Sequence, residues 1–548
     1  MRVHDKEMAS AGEEATQDVA EKDQGEENKK VVTFEKKREN DKDDDNKTAW
    51  TFGKNQEREK EDKNKTALTF EKQETDEEEN KTVWTFEEKQ RLLADAITMK
   101  SPLEDIKMVL ICGAQLNLPV KKGLRPLHYA AYADYVECIH FLIDEGADIN
   151  TSDDIGYTPL HLCARRGIYD AMKALIDRGA IVNYCNAEES ALAENVRAIG
   201  YLTMEPLNLA IENNHVECVR LLLDNGASPN HQYFIGYQLH VMNLENIECL
   251  EILLERGANP NSLNRCGISP LMKACREHNI EAVRILIKHR ADVNALCSPR
   301  FDQKSPIHFA IESGNLATTE ILVKEGANLK RTEKYRYSPL HSAVLRGRAD
   351  LVYFLILNKA EVDERTDDDC TPLMLAAGTP ELKERKDLIK ILLEQGAHVN
   401  ASAQYINYMH PCMSPIVEYM KNCSFNPDKE IILMLLKYGA KVNIRPDVYR
   451  YRRQDPTGIL NYLKNCSCRE MLDIFVYAAK SFDKEHVQKA DLFPYEKKYI
   501  LRHADTPLQL KHMTRLFIRG LLYPNLLSHV EELPLPSFIK KYLLYEVS

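Results

Sequence analysis

Apolar residues in the middle of this chain fall in short helical clusters that come in pairs. The stretch around residue 160 shows the unit. Thr158 is placed to cap a first helix, and Pro159 sits in its first turn, where no amide donor is needed. Leu160 and Ala164 are spaced i, i+4 and so face a neighbour. A second helix carries Ala171, Ala174, Leu175 and Ile176 on its apolar face, and Gly179 supplies a left-handed turn after it. One such unit cannot bury its own faces. Stacked units share a continuous core in which nearest-neighbour contacts dominate stability.

The unit recurs. Thr158-Pro159-Leu160-His161 is echoed by Arg125-Pro126-Leu127-His128, Ser305-Pro306-Ile307-His308 and Ser338-Pro339-Leu340-His341. Looser echoes are Glu205-Pro206-Leu207, Gln238-Leu239-His240, Ser269-Pro270-Leu271, Thr371-Pro372-Leu373 and Ser414-Pro415-Ile416. Three of the steps are 33 residues, others are 32 or 36, and two stretch to 47 and 43. Units also end alike: Gly146-Ala147, Gly226-Ala227, Gly257-Ala258, Gly396-Ala397 and Gly439-Ala440 are each followed by Asn three residues after the Ala. From about residue 89 to 444 this pattern resembles the ankyrin repeat. The resemblance implies an all-α solenoid of helix-turn-helix repeats with hairpin loops, about ten repeats plus a degenerate trailing one over 87–482.

The departures carry expectations. Arg290-Ala291 and Lys359-Ala360 lack the terminal Gly, so another residue must take positive φ there or a different cap must serve. Insertions stand at Tyr184–Tyr201, Thr379–Lys386 and Tyr405–Cys412, and in solenoids they map to loops, often on the binding face. Leu92–Asn117 reads as a leading repeat without its Thr-Pro start, and Asp455–Phe482 as a decayed trailing one. His128, His161, His308 and His341 share one repeat position, which in ankyrin proteins is a hydrogen-bonding site between loops rather than a catalytic or metal site.

After a partly helical connector at 483–505, Pro507 precedes a helix in which Leu510, Met513, Phe517 and Leu521 form one apolar stripe. Arg515 and Arg519 lie four apart and face elsewhere. A stripe this short makes no core of its own, so it should pack on the array, on a partner, or on both. Downstream come Leu533-Pro534-Leu535-Pro536, then Phe538, Ile539, Tyr542 and Leu543 on a following helix face. Together residues 506–548 resemble a SOCS box, and the whole chain is similar to the ankyrin repeat and SOCS box family.

That resemblance implies elongin C and elongin B as partners, with Leu510, Met513, Thr514, Phe517 and Ile518 at the elongin contact. Leu533, Pro534, Leu535 and Pro536 would meet cullin-5, which brings its RING partner. Thr514 stands where the family usually has Cys. Its hydroxyl, left unpaired in an apolar pocket, costs about 1–3 kcal/mol. It can also bond back to its own helix. The plain alternative is a helical cap that seals the last repeat.

Residues 1–86 are rich in Glu, Lys, Asp and Asn and poor in Leu and Ile, a composition that predicts a disordered, charged tail. A short pattern recurs there, at Asn28–Phe34, Asn46–Phe52, Asn64–Phe70 and Asn80–Phe86. It reads either as a multivalent linear motif gaining avidity or as a drifting tandem duplication.

Net charge is −11, which argues against a nucleic-acid surface. The start lacks an apolar signal segment, and no run approaches the roughly 20 apolar residues a membrane span needs. The 14 cysteines are scattered, which with the missing signal predicts reduced thiols and a cytoplasmic or nuclear protein. Cys466-Ser467-Cys468 lacks the partners of a metal site. No phosphate loop, nucleophile elbow or zinc motif appears, so the chain reads as non-catalytic and free of cofactors.

As anchors for an unknown protein target the array offers Tyr335, Arg336 and Tyr337, and the acidic run Asp367, Asp368 and Asp369. The expected function is a substrate-recognition adaptor of an elongin–cullin ubiquitin ligase. A non-ligase ankyrin scaffold with a vestigial box is the alternative, and an elongin-binding regulator that ubiquitinates nothing is a third.

Overall fold

A computed structural model of the chain describes residues 84–183, 205–233, 236–332, 335–403, 413–423, 427–447, 455–465, 469–505, 510–523 and 526–546. The chain divides into units 1–82 and 83–548. The first unit, with three of the four tail motifs, lies outside the described residues, as do the insertions at 184–201 and 405–412, Cys466–Cys468 and Pro507.

Among the described residues, ten helix pairs stack in chain order. They are α1 Phe86–Thr98 and α2 Leu103–Ile111, α3 Pro126–Ala133 and α4 Val136–Asp144, α5 Pro159–Arg166 and α6 Tyr169–Asp177, and α7 Pro206–Glu212 and α8 Val216–Asp224. Next come α9 Gln238–Val241 and α10 Ile247–Glu255, α11 Pro270–Arg276 and α12 Ile280–Lys288, and α13 Pro306–Ser313 and α14 Leu316–Lys324. The last pairs are α15 Pro339–Leu345 and α16 Ala349–Leu357, α17 Pro372–Gly378 and α18 Arg385–Glu394, and α19 Pro415–Asn422 and α20 Lys429–Lys437. First helices pack on the first helix of the next pair, except that α7 meets the shortened α9 through a buried hydrogen bond from Gln238 to Asn208 (2.8 Å). Along this strip Leu160, Cys163 and Ala164 are buried, and so are Leu340, Ala343 and Val344.

The leading pair lacks the Thr-Pro start of the other repeats and uses a different cap, Thr85-x-x-Glu88. Thr85 accepts from the Glu88 amide (3.3 Å) and Glu88 accepts from the Thr85 amide (2.8 Å), a reciprocal capping box. Phe86 therefore opens the first helix, and the last tail motif ends inside the solenoid.

The expected role of the shared histidines is what the structure shows. Their Nδ1 accepts the N-cap amide, 3.2 Å from Arg125 and 3.1 Å from Thr158. In three of them Nε2 then reaches a carbonyl in the next repeat: His128 to Tyr157 (3.0 Å), His308 to Tyr337 (3.2 Å) and His341 to Cys370 (3.2 Å). His240 does the same with Ile268 (3.0 Å). Where Met replaces His, the thioether takes over the first contact: Met272 Sδ lies 3.5 Å from the Ser269 amide and Met374 Sδ 3.4 Å from that of Thr371.

The repeated asparagines form a second ladder. Asn294 donates to the Gly326 carbonyl (3.1 Å) and accepts from the Asn328 amide (2.8 Å). Asn230 and Asn261 bridge their neighbours alike. At the two turns without Gly, Arg290 (φ 65°) and Lys359 (φ 69°) themselves adopt the left-handed conformation.

Helix α9 is cut to four residues, and Lys273 from the next repeat donates to the carbonyls this exposes, those of His240 (2.8 Å) and Met242 (2.6 Å). The trailing unit replaces its first helix by a 3-10 turn, Leu460–Asn465, followed by α21 Arg469–Ala478. Strand β1 (Val442–Ile444) pairs in parallel with β2 (Ala479–Phe482), a small exception in an otherwise helical fold. Helices α22 Lys484–Lys489 and α23 Pro494–Asp505 lead to α24 Leu510–Leu522, α25 Leu526–Glu532 and α26 Ser537–Leu543.

Buried free thiols at Cys138, Cys163, Cys218, Cys249 and Cys275 line the helix pairs, and burial pushes the Cys138 thiol up to about 12. Cys370 departs from the expectation of reduced thiols, because it is disulfide-bonded. No helix among the described residues is long and apolar enough to cross a membrane.

Candidate partner-docking sites

The C-terminal helices build a small core of Leu526, Val530, Leu543 and Leu544, with Ile518, Leu522, Leu527, Leu535 and Ile539 packed on its edge. A helix normally turns its apolar stripe inward. Helix α24 does so only in part: Ile518 and Leu522 turn inward, and a second apolar stripe does not. Met513 (53% exposed), Phe517 (67%) and Leu521 (67%) face solvent, and Thr514 is exposed beside them. Arg515 (3%) and Arg519 (8%) are buried. Leu510 opens the same helix.

Ile518 does not share the exposed face. It is half-buried and packs on the edge of the box's own core, where Leu522, one turn on, and Ile539 of α26 also lie. Leu533-Pro534-Leu535-Pro536 splits similarly. Pro534 and Pro536 are exposed, and Leu535 packs on the core edge. Pro536 caps α26, fixing the chain's entry without a side-chain hydrogen bond. Phe538, the second residue of α26, is exposed.

The buried arginines are the residues that sequence reasoning did not rank. Their spacing placed them off the apolar stripe, and that was the available signal. Arg515 lies with its Cζ 3.5 Å from the Tyr542 ring centroid and 4.6 Å from that of Tyr545. Such face-on stacking offsets part of the desolvation of a guanidinium. Tyr542 Oη also meets His512 Nδ1 at 3.1 Å, and the His512 ring stacks on Tyr477 of α21.

On the array the picked anchors are mostly satisfied from within. Tyr335 is no exposed tip: it is 6% exposed, edge-on to His308 (4.8 Å between centroids), and burial pushes its phenol up. Asp369 is buried too, with positive φ, and pairs with Arg365 (2.7 Å). Asp367 pairs with Arg331, and Asp368 with Arg336, whose guanidinium lies 5.2 Å over the Tyr337 ring. Five of the six tie adjacent repeats while Asp369 pairs within its own hairpin, and of these the Arg336–Tyr337 and Asp367–Asp368 side chains reach solvent.

Comparison with known proteins agrees with both halves. Family models of ankyrin repeats match residues 93–187, 238–333 and 327–403, with a single-repeat model at 205–233, and the SOCS box model matches 506–544. Human protein phosphatase 1 regulatory subunit 27 is 41% identical over 115 residues, which is 21% of this chain and 72% of that protein. The human transient receptor potential cation channel subfamily A member 1 is 28% identical over 169 residues, 29% of this chain. The chain spans only 15% of that channel and 15% of the yeast phosphate system positive regulatory protein that it also matches. The crystal structure of the human ASB11 ankyrin repeat domain aligns at 23% identity and a TM-score of 0.35, covering 43% of this chain and 98% of that one.

Proposed function

We propose that this chain, which belongs to the ankyrin repeat and SOCS box family, is a substrate-receptor subunit of an elongin–cullin ubiquitin ligase. The observation that carries the reading is the exposed apolar stripe of helix α24. Its polar face is already occupied by the protein's own side chains, and Met513, Phe517 and Leu521 stand in water. A soluble chain rarely spends three large apolar residues this way on one helix face unless a partner covers them. Elongin C, with elongin B, is the partner that fits, and Pro534, Pro536 and Phe538 offer the next surface to cullin-5 and its RING partner.

In this reading the array holds a protein target, and ubiquitin transfer takes place on the partners. The chain then supplies proximity rather than chemistry. It works in the cytoplasm or nucleus, where those partners are found.

The test is co-purification of the full chain with elongin B/C and cullin-5, beside Phe517→Asp and Phe538→Asp. Both side chains are exposed, so neither change disturbs the core. The reading expects wild type to capture the whole complex, Phe517→Asp to lose all of it, and Phe538→Asp to keep the elongins with less cullin. Capture of nothing by wild type would leave an ankyrin scaffold whose box only seals the array.

A further inference from the structure

The stripe on α24 opposite the exposed one runs His512, Arg515 and Arg519, and with Tyr523 just past the helix end it ties the box to the array. Arg519 Nη1 donates to the Leu543 carbonyl (2.6 Å) and Nη2 to the carbonyl of Leu436. These carbonyls lie in the last turns of α26 and α20, so one guanidinium caps the negative ends of two helices. Burial lowers the Arg519 pKa to about 10, so it stays cationic at neutral pH. Tyr523 Oη lies 2.9 Å from His398 Nε2, and Lys441 Nζ lies 5.0 Å over its ring.

The chain then returns over this joint. Tyr545 takes positive φ (61°) just after α26, which swings its ring over both guanidinium groups, 4.6 Å from Arg515 and 4.5 Å from Arg519. The next residue, Glu546, pairs with Lys437 at the end of α20 (2.7 Å). Arg515 Nε and Nη2 have no hydrogen-bond partner among the described residues, so the Tyr542 and Tyr545 rings are its main compensation.

We propose that Tyr545 and Glu546 form a latch that holds the C-terminal helices in one orientation on the last full repeat, with Arg519 as the positioning residue on which it closes. A left-handed residue places the ring, the ring covers two otherwise costly cations, and the carboxylate anchors the turn to the array. If the chain is a ligase receptor, the latch sets where ubiquitin is delivered relative to a bound target. That last consequence rests on the receptor reading, but the latch itself does not.

The test is amide hydrogen exchange on the full chain, comparing wild type with Tyr545→Ala/Glu546→Ala and with Arg519→Met. Opening the latch removes charge-assisted contacts, so amides of 512–519 should exchange faster by on the order of tenfold or more, with α5 unchanged. Lys437→Glu alone should give a smaller gain, about two- to fivefold, reversed by adding Glu546→Lys. Unchanged exchange at 512–519 in the Tyr545→Ala/Glu546→Ala variant would overturn the latch. Elongin B/C capture by the same variants reports whether the box is folded. In a reconstituted ligase, the unlatched variant should spread ubiquitin over more lysines of the chain, and an unchanged lysine pattern would also count against the latch. No elongin capture by wild type would sink the receptor reading and leave the exchange result standing.

Discussion

His308 Nε2 lies 3.2 Å from the carbonyl oxygen of Tyr337, one repeat further on. Its Nδ1 accepts the Ser305 amide (3.3 Å), so the proton must sit on Nε2 and be donated across the repeat boundary. The ring is neutral, and burial lowers its pKa to about 4, as it does for His128 and His341.

Unfolded histidines bind protons near pH 6.5, whereas these bind them only near 4. Between those values the unfolded chain holds more protons, so stability is full above about pH 6.5, falls as pH is lowered towards 4, and levels off below. Each ring contributes a loss of up to about 3 kcal/mol over that window. Urea unfolding at pH 7, 5.5 and 4.5 should show the fall. His308→Met, copying the arrangement at Met272, should flatten its share, and an equally steep profile would refute the assignment.

Arg290 and Lys359 stand in a left-handed conformation that non-glycine residues adopt at about 1–2 kcal/mol. Glycine relieves this and loses part of the gain to chain entropy. Arg290→Gly and Lys359→Gly should each raise stability by about 0.5–1 kcal/mol, read as a higher urea midpoint at unchanged slope. A lower midpoint would mean that the side chains matter more than the turn.

Asn294 ties two hairpins through one donor and one acceptor contact. Asn294→Ala should destabilise by about 1–2 kcal/mol, and it should expose the Asn328 amide to faster exchange before any distant amide. Uniform acceleration across the array would show that the ladder acts only through global stability.

Phe517→Ala should leave the thermal midpoint of the isolated chain nearly unchanged, because the ring is two-thirds exposed. Elongin B/C affinity should fall on the order of thirtyfold, the effect of removing an interface anchor of about 2 kcal/mol. A drop in thermal midpoint for Phe517→Ala would place its ring in the protein's own core instead.

The repeat register was legible because it is local. A Thr or Ser, then Pro, Leu and His, specifies a cap, a first turn, a core contact and a bridge within four residues, and every copy repeats the same short-range physics. The stripe of Met513, Phe517 and Leu521 was equally legible as a stripe. Which side of it faces water was not. That depended on Leu436 offering a carbonyl 83 residues away from Arg519, on Tyr477 stacking over His512, and on Tyr545 folding back over both arginines. Tyr335 shows the same limit on the array: an aromatic at a hairpin reads as an exposed anchor until His308 of the preceding repeat closes over it. The sequence by itself determined the helices, their caps and the solenoid, since those follow from spacing along one chain. Only the tertiary structure decided which side chains are covered, because burial is set by what arrives from elsewhere in the fold.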